Sequence, residues 1–218
     1  MKREYVYKGF ERFWHWAQAL LVIFLALTGF EIHGSFTFFG FEQAVRYHNT
    51  AALALVLLIV FAVFWHVTTG EWRQYLPTRA HLRAQVDYYL TGIFRNAPHP
   101  TRKTALAKLN PLQKMVYALL KVVAIPVMVT SGLLFLFFRS PESHAFLHLD
   151  SVGVIAVIHT AGAFFLVAFL AIHVYLITTG RTVTSNLKAM ITGFEELEGE
   201  GGDRPSQHAT TESAGVPS

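Results

Sequence analysis

Apolar residues in this chain neither alternate nor keep to one helical stripe. They fill four long runs, at about 13–32, 47–69, 112–138 and 152–179. Each approaches or exceeds the ~20 predominantly apolar residues that a helix needs to cross a ~30 Å hydrocarbon core. A soluble amphipathic helix would show a charged face, whereas these runs are apolar around most of their circumference. Trp14, Trp16, Tyr47, Trp65, Trp72, Tyr117 and Tyr175 lie mostly near the ends of the runs, where aromatic rings favour the headgroup boundary. The pattern predicts an all-α integral membrane protein, a bundle of four transmembrane helices. The first run follows Met1-Lys2-Arg3, yet it is too long for a signal-peptide core and has no small-x-small cleavage site before Glu31-Ile32-His33. It is expected to remain as a permanent helix.

The polar stretches between the runs differ in length. The connection over 70–111 is too long for a turn, and Leu82, Val86, Tyr89, Leu90 and Phe94 form an apolar stripe at helical spacing within it. That stripe suits a helix lying along the membrane interface or under a partner. Residues 195–218 are acidic at first and then rich in Gly, Ser, Thr and Pro, which predicts a disordered tail. No internal repeat stands out, so residues 1–194 are expected to form one membrane domain.

Composition supports lipid as the solvent: 53% of residues are hydrophobic and only 15% charged, against roughly a quarter charged in globular chains. Cysteine is absent, which excludes cysteine-ligated iron–sulfur clusters, thioether-linked haem, disulfides and thiolate zinc sites. The net charge of +4 and pI near 9.4 would suit nucleic acid until the basic residues are located. Lys2, Arg3, Lys8 and Arg12 precede or open the first run, and Arg73, Arg79, Arg83, Arg95, Arg102, Lys103 and Lys108 lie in the long connection. The other two connections hold one each, Arg46 and Arg139. The positive-inside rule then puts both termini in the cytoplasm of a bacterial inner-membrane protein, and membrane topology rather than nucleic acid accounts for the basic excess.

Eleven histidines are present, and His15, His48, His66, His159 and His173 fall inside or at the edges of the apolar runs, where polar groups are costly and need partners. A single such histidine is equally well explained by an interfacial position or an interhelical hydrogen bond. His159 and His173 change that balance. Their separation of fourteen residues leaves them only ~40° apart around a helix and about 21 Å apart along it. Two imidazoles on one face near opposite leaflets suit two stacked cofactors better than one ion, whose ligands must converge. Without cysteine, this arrangement points to bis-histidine haem b. At the outer level His48 can face His159. At the inner level His15 and His66 compete to face His173. His48 and His66 are roughly 27 Å apart along their helix, which overshoots the His159–His173 spacing by about 6 Å and favours His15. Ala161-Gly162-Ala163, Thr28-Gly29 and Ser131-Gly132 are small enough for either ring planes or helix backbones to approach closely. Arg46 suits a haem propionate or a lipid headgroup.

Four motifs in order, Arg12-Phe13-Trp14-His15-Trp16, Arg46-Tyr47-His48, Asn110-Pro111-Leu112-Gln113-Lys114 and His159-Thr160-Ala161-Gly162 with His173-Val174-Tyr175, resemble the cytochrome b subunits of formate dehydrogenases. The related subunits of membrane nickel–iron hydrogenases and thiosulfate reductases share the pattern. The resemblance covers about 12–191, including Asn186-Leu187-Lys188-Ala189-Met190-Ile191, and leaves out the tail. It implies a membrane anchor with two haems b, ligated by His48 and His159 on the outer side and by His15 and His173 on the inner side, with His66 a non-ligand. It further implies a quinone site, for menaquinone or ubiquinone, at Asn110, Gln113 and Lys114. An iron–sulfur or other redox subunit and a catalytic subunit are then expected on the periplasmic side. Asn110, Pro111 and Gln113 also make a good helix start: an N-cap, a first-turn proline and a capping box.

The chain would thus be a quinone-reactive electron-transfer subunit, not the subunit that converts the primary substrate, since it shows no dinucleotide loop and no nucleophile constellation. A haem-free transporter using histidines for proton or metal transit is the alternative. It would need charges or broken helices at the midplane, for which only Lys121 and Pro126 qualify. His144 and His148, with Glu142 and Asp150, lie in the outer connection and are expected to serve partner contact rather than metal binding.

Overall fold

The computed structural model describes residues 2–76, 82–92, 95, 108–138, 152–180 and 182–197. Four helices in it are long and apolar enough to span a membrane: Gly9–Ile32, Phe41–Thr69, Pro111–Phe137 and Val152–Ile177. We label α1 Gly9–Ile32, α2 Phe41–Thr69, α3 Leu82–Asp87, α4 Pro111–Leu119, α5 Ile125–Phe138, α6 Val152–Ile177 and α7 Ser185–Thr192. The second span starts six residues before the expected 47, because the short polar stretch ahead of it continues the helix.

Local chemistry sets the helix ends. Glu11 in the first turn of α1 accepts a hydrogen bond from the Lys8 backbone N–H at 2.8 Å. At the other end of α1, Glu31 Oε1 accepts the N–H groups of Phe38, Phe39 and Gly40 at 2.7–2.8 Å. One carboxylate thereby holds the α1–α2 connection and satisfies donors at the start of α2. Gly40, at φ 86°, and Gly70, at φ 74°, flank α2 in backbone conformations that favour glycine. A π-helical turn over Leu120–Ala124 joins α4 to α5. Pro126 lacks the N–H that would close the ordinary helical bond four residues back, which accounts for the widened turn before it.

Helix α1 packs on α2, α5 packs on α6, and α2 meets α5. Large apolar side chains such as Leu20, Leu57, Val122 and Val157 point outward along the spans, as a lipid-facing surface requires.

The fold is not wholly helical. Strand β1 (Lys2–Tyr5) pairs antiparallel with β2 (Phe194–Leu197), in the register Lys2 with Leu197 through Tyr5 with Phe194. Residues 195–197 therefore belong to a strand, not to a disordered tail; the rest of that tail, 198–218, lies outside the described residues. The ribbon is reinforced by the Gly193 carbonyl, which accepts the N–H groups of Val6 and Tyr7 at 2.9 and 3.1 Å. Arg12 and Trp16 also donate to the carbonyls of Ile191 and Met190 in α7. Both ends of the described chain meet at one end of the bundle. Within the long connection, Leu82, Val86 and Leu90 fall on α3 and the π turn after it, whereas Arg79, Phe94, Arg102 and Lys103 lie outside the described residues, as do Arg139, Pro141, Glu142, His144, His148 and Asp150.

Candidate functional site

The structure brings the intramembrane histidines together in two pairs. The rings of His48 on α2 and His159 on α6 have centroids 6.3 Å apart and planes at 71°. Those of His15 on α1 and His173 on α6 are 6.2 Å apart and at 51°. Two imidazoles bonded to opposite sides of one metal at about 2.0–2.1 Å per bond hold their centroids about 6.4 Å apart. Both pairs match that separation. Among the described residues no group of three or more His, Cys, Asp or Glu converges as a metal site, so an ion between either pair must take its remaining ligands from elsewhere. A haem b would supply those remaining ligands and one-electron exchange, and the two imidazoles of each pair would hold it. The residues present fit haem b.

Around the His48–His159 pair the contacts are specific. Thr28 Oγ1 donates to the Phe24 carbonyl at 2.9 Å and lies 3.0 Å from His48 Nδ1. Ser131 Oγ donates to the Val127 carbonyl at 2.7 Å and lies 2.8 Å from His159 Nδ1. The glycine after each hydroxyl residue also touches the same ring: a Cβ on Gly29 would stand 3.2 Å from His48 Cε1, and one on Gly132 would stand 3.3 Å from His159 Cε1. The small pairs Thr28-Gly29 and Ser131-Gly132 thus serve the rings. Gly162, in contrast, serves helix packing, because a Cβ there would overlap the Met128 side chain of α5.

The His15–His173 pair is built differently. His173 stacks on Phe169, centroids 5.7 Å apart at 13°, and Phe169 meets Tyr117 of α4 edge-on at 6.5 Å. His15 Nδ1 is buried without a hydrogen-bond partner among the described residues. His66 does not join this pair. Its Nδ1 lies 2.6 Å from the Ala62 carbonyl, which can only accept, so Nδ1 carries the proton and Nε2 accepts from Tyr75 Oη at 3.4 Å. Neither nitrogen is left to ligate a metal, and the ring packs edge-on against Trp14 and Trp65.

Beside the His15–His173 pair lies a polar cluster that the sequence reading missed. Lys108 Nζ reaches both Glu11 oxygens at 2.8 Å, with both side chains buried. Lys8 pairs with Glu71, and Gln74 donates to Glu11 and Glu71 at 3.3 Å. Burial opposes the charge of Glu71, but the Lys8 hydrogen bond and the Lys108 and Lys8 charges outweigh it and hold the carboxyl below its usual range. Burial pushes the nearby Tyr75 hydroxyl well above its ordinary value, with the charge of Glu11 adding to it. Lys121, in the π turn, places its ammonium over the rings of Tyr75 and Trp14, 3.1 and 4.8 Å from their centroids. A carboxylate such as Glu11 at the head of an apolar helix was the available signal for this cluster.

The three residues of the expected quinone site open α4. Asn110 Oδ1 accepts from Gln113 N at 2.8 Å, and Gln113 Oε1 accepts from Asn110 N at 3.0 Å, completing the capping box. Asn110 is buried, and Gln113 and Lys114 are half-buried. Arg46 is exposed near the start of α2, two residues before His48.

The family model for prokaryotic cytochrome b561 matches residues 6–193. The chain belongs to that family. Membership of the prokaryotic cytochrome b561 family makes it a membrane cytochrome that binds b-type haem and works in electron transport, which decides against the haem-free transporter. The cytochrome is also similar to a protein of Escherichia coli (strain K12) named "Putative cytochrome YdhU", at 28% identity over 197 residues, covering 87% of this chain and 74% of that one. Residues 6–193, matched by the family model, contain all four spans and both histidine pairs.

Proposed function

We propose that this cytochrome carries two haems b, one held by His48 and His159 and the other by His15 and His173, and passes electrons across the membrane between quinone and a partner redox subunit. The observation that carries the reading is the pair of ring separations, 6.3 and 6.2 Å, at two levels of α6. Each haem, when bound, supplies one-electron exchange; the chain's own task is to fix the two sites along one helix and to keep the path between them in apolar surroundings. Arg46 is assigned to a propionate of the outer haem.

Quinone, ubiquinone or menaquinone, binds at the start of α4, with Asn110, Gln113 and Lys114 around it. Two features support that location. Tyr117, less than two turns along α4, touches Phe169, which in turn stacks on His173. Lys108, just before the cap, is tied to Glu11 one turn ahead of His15. The positive end of the helix dipole at this start favours a carbonyl oxygen or an oxyanion. Quinone reduction takes two protons with its two electrons, and the polar groups at this end, Lys114 among them, face the side from which protons are drawn. Both termini are cytoplasmic, so the inner haem and quinone lie on the cytoplasmic side, with the partner redox and catalytic subunits on the periplasmic side. Such a complex is of the formate dehydrogenase, hydrogenase or thiosulfate/tetrathionate reductase type.

Haem quantitation and reduced-minus-oxidised spectra of the purified protein test the core of this proposal. Two haems b per chain are expected, and His159→Ala should leave at most one. Two six-coordinate haems retained in that variant would refute the pairing.

A further inference from the structure

The outer histidines share one feature that the inner ones lack. On α1, Thr28-Gly29 places a hydroxyl 3.0 Å from His48 Nδ1 and an open Cα against the His48 ring. On α5, Ser131-Gly132 does the same to His159, at 2.8 Å. Each hydroxyl comes from a neighbouring helix, and each is itself anchored to the carbonyl four residues back. Thr28 is fully buried and Ser131 nearly so, so water does not compete for either contact. Resting on the two-pair reading above, we propose that Thr28 and Ser131 are positioning residues that hold the Nδ1–H of both outer ligands and lower the potential of the outer haem alone.

The direction follows from hydrogen-bond bookkeeping. An imidazole bonded to iron through Nε2 keeps its proton on Nδ1. Each hydroxyl has one proton, given to its own helix carbonyl, and two lone pairs, so it accepts from Nδ1. Acceptance of that proton fixes the tautomer and the ring orientation and makes the imidazole a more basic ligand. A more basic ligand favours ferric over ferrous iron, and second-shell hydrogen bonding is one of the protein's levers on haem potential. Among the described residues the inner pair has no matching cradle: His15 Nδ1 is buried without a partner there, and His173 is held by ring stacking on Phe169. The glycines are part of the same device, since a methyl group at 3.2–3.3 Å from Cε1 would press on the ring that the hydroxyl orients.

The test is a potentiometric titration of the haem optical signal in the full-length, haem-loaded protein, alongside haem quantitation. In Thr28→Val and Ser131→Ala, two haems should remain and one of the two titration waves should move to higher potential while the other stays in place. Thr28→Ser and Ser131→Thr, which keep the hydroxyl, should restore the original wave. Loss of the outer haem in Thr28→Val with its retention in Thr28→Ser also assigns the role to the hydroxyl. Unmoved waves, equal movement of both, movement to lower potential, or failure of the hydroxyl-bearing variants to restore the wave would each overturn the proposal. His48→Ala separates this from the underlying pairing: if that variant keeps two six-coordinate haems, the pairing itself is wrong.

Discussion

His66 is as buried as any histidine in the bundle, yet its two nitrogens are spent on Ala62 and Tyr75. Rise along α2 already placed it too deep to share a level with His173, and the hydrogen bonds now supply a chemical reason. His66→Ala should therefore retain both haem signals in optical spectra. A halved haem content, with His15→Ala harmless, would exchange the inner ligand. Asn110 presents the reverse situation, a residue with a clear structural task and a proposed functional one. Asn110→Ala removes an N-cap worth about 1 kcal/mol and should lower quinone-linked turnover while both haems remain; thermal stability in detergent, measured in parallel, tells the two effects apart. Unchanged turnover would leave Asn110 as a cap and move the search to His66 and Glu71. That His159 and His173 share one face of α6 was legible because the helical period fixes how fourteen residues project. Thr28 and Ser131 were legible only as small residues, because their hydroxyl contacts depend on how two helices rotate against each other, which no single helix encodes.

Between elements, the end of the bundle where β1 and β2 meet is tied by contacts far apart in sequence: β1 to β2, Arg12 and Trp16 to α7, and Glu11 to Lys108. None follows a local period. Residues 194–197 illustrate the problem, since an acidic segment beside a Gly-rich one carries the composition of a tail, and only pairing with residues 2–5 makes it a strand. The helix starts and stops were legible by comparison, because Asn110, Pro111 and Gln113 act on their own neighbours. The Glu11–Lys108 pair gives a sharp expectation. Glu11→Gln leaves buried Lys108 with only its longer contact to Glu71, at 3.9 Å, and loss of the closer partner in such a buried pair costs up to about 3–5 kcal/mol. Thermal unfolding in detergent should show a large loss, and Glu11→Gln combined with Lys108→Met should recover much of it; an unaltered transition in the single variant would mean that the pair adds nothing. Glu71 sets a pH dependence. Its carboxyl is held below the ordinary value of 4.5, so the folded state binds that proton less readily than the unfolded chain. The stabilisation is present above about pH 4.5 and is lost as pH falls through the lower folded value. Glu71→Gln should flatten the acid limb of a stability-against-pH curve, and an acid limb identical to the parent's would assign it to other carboxylates.

For the whole molecule, four spans were legible because the bilayer imposes a length and an apolar character that few other structures need. Four spans also require both ends of the membrane domain to lie on one side, and the pairing of residues 2–5 with 194–197 satisfies that requirement. Which side is a question of charge. Eleven basic residues occupy the amino-terminal arm and the long connection, against two on the opposite connections, and the positive-inside rule reads such an imbalance as cytoplasmic placement of the richer side. Several of the eleven make fixed contacts: Lys8 with Glu71, Lys108 with Glu11, and Arg12 with the Ile191 carbonyl. If those three were discounted, the imbalance would still favour the same side. Orientation then decides where chemistry happens: under the proposed one, His15, His173 and the start of α4 lie near the cytoplasm and His48 and His159 near the periplasm. A reporter active only in the periplasm should be silent when fused at the carboxyl terminus and active when inserted after Phe36, in the connection between α1 and α2. The opposite pattern would invert the molecule, put the proposed quinone end at the periplasmic face, and require protons for quinone reduction to be drawn from that side.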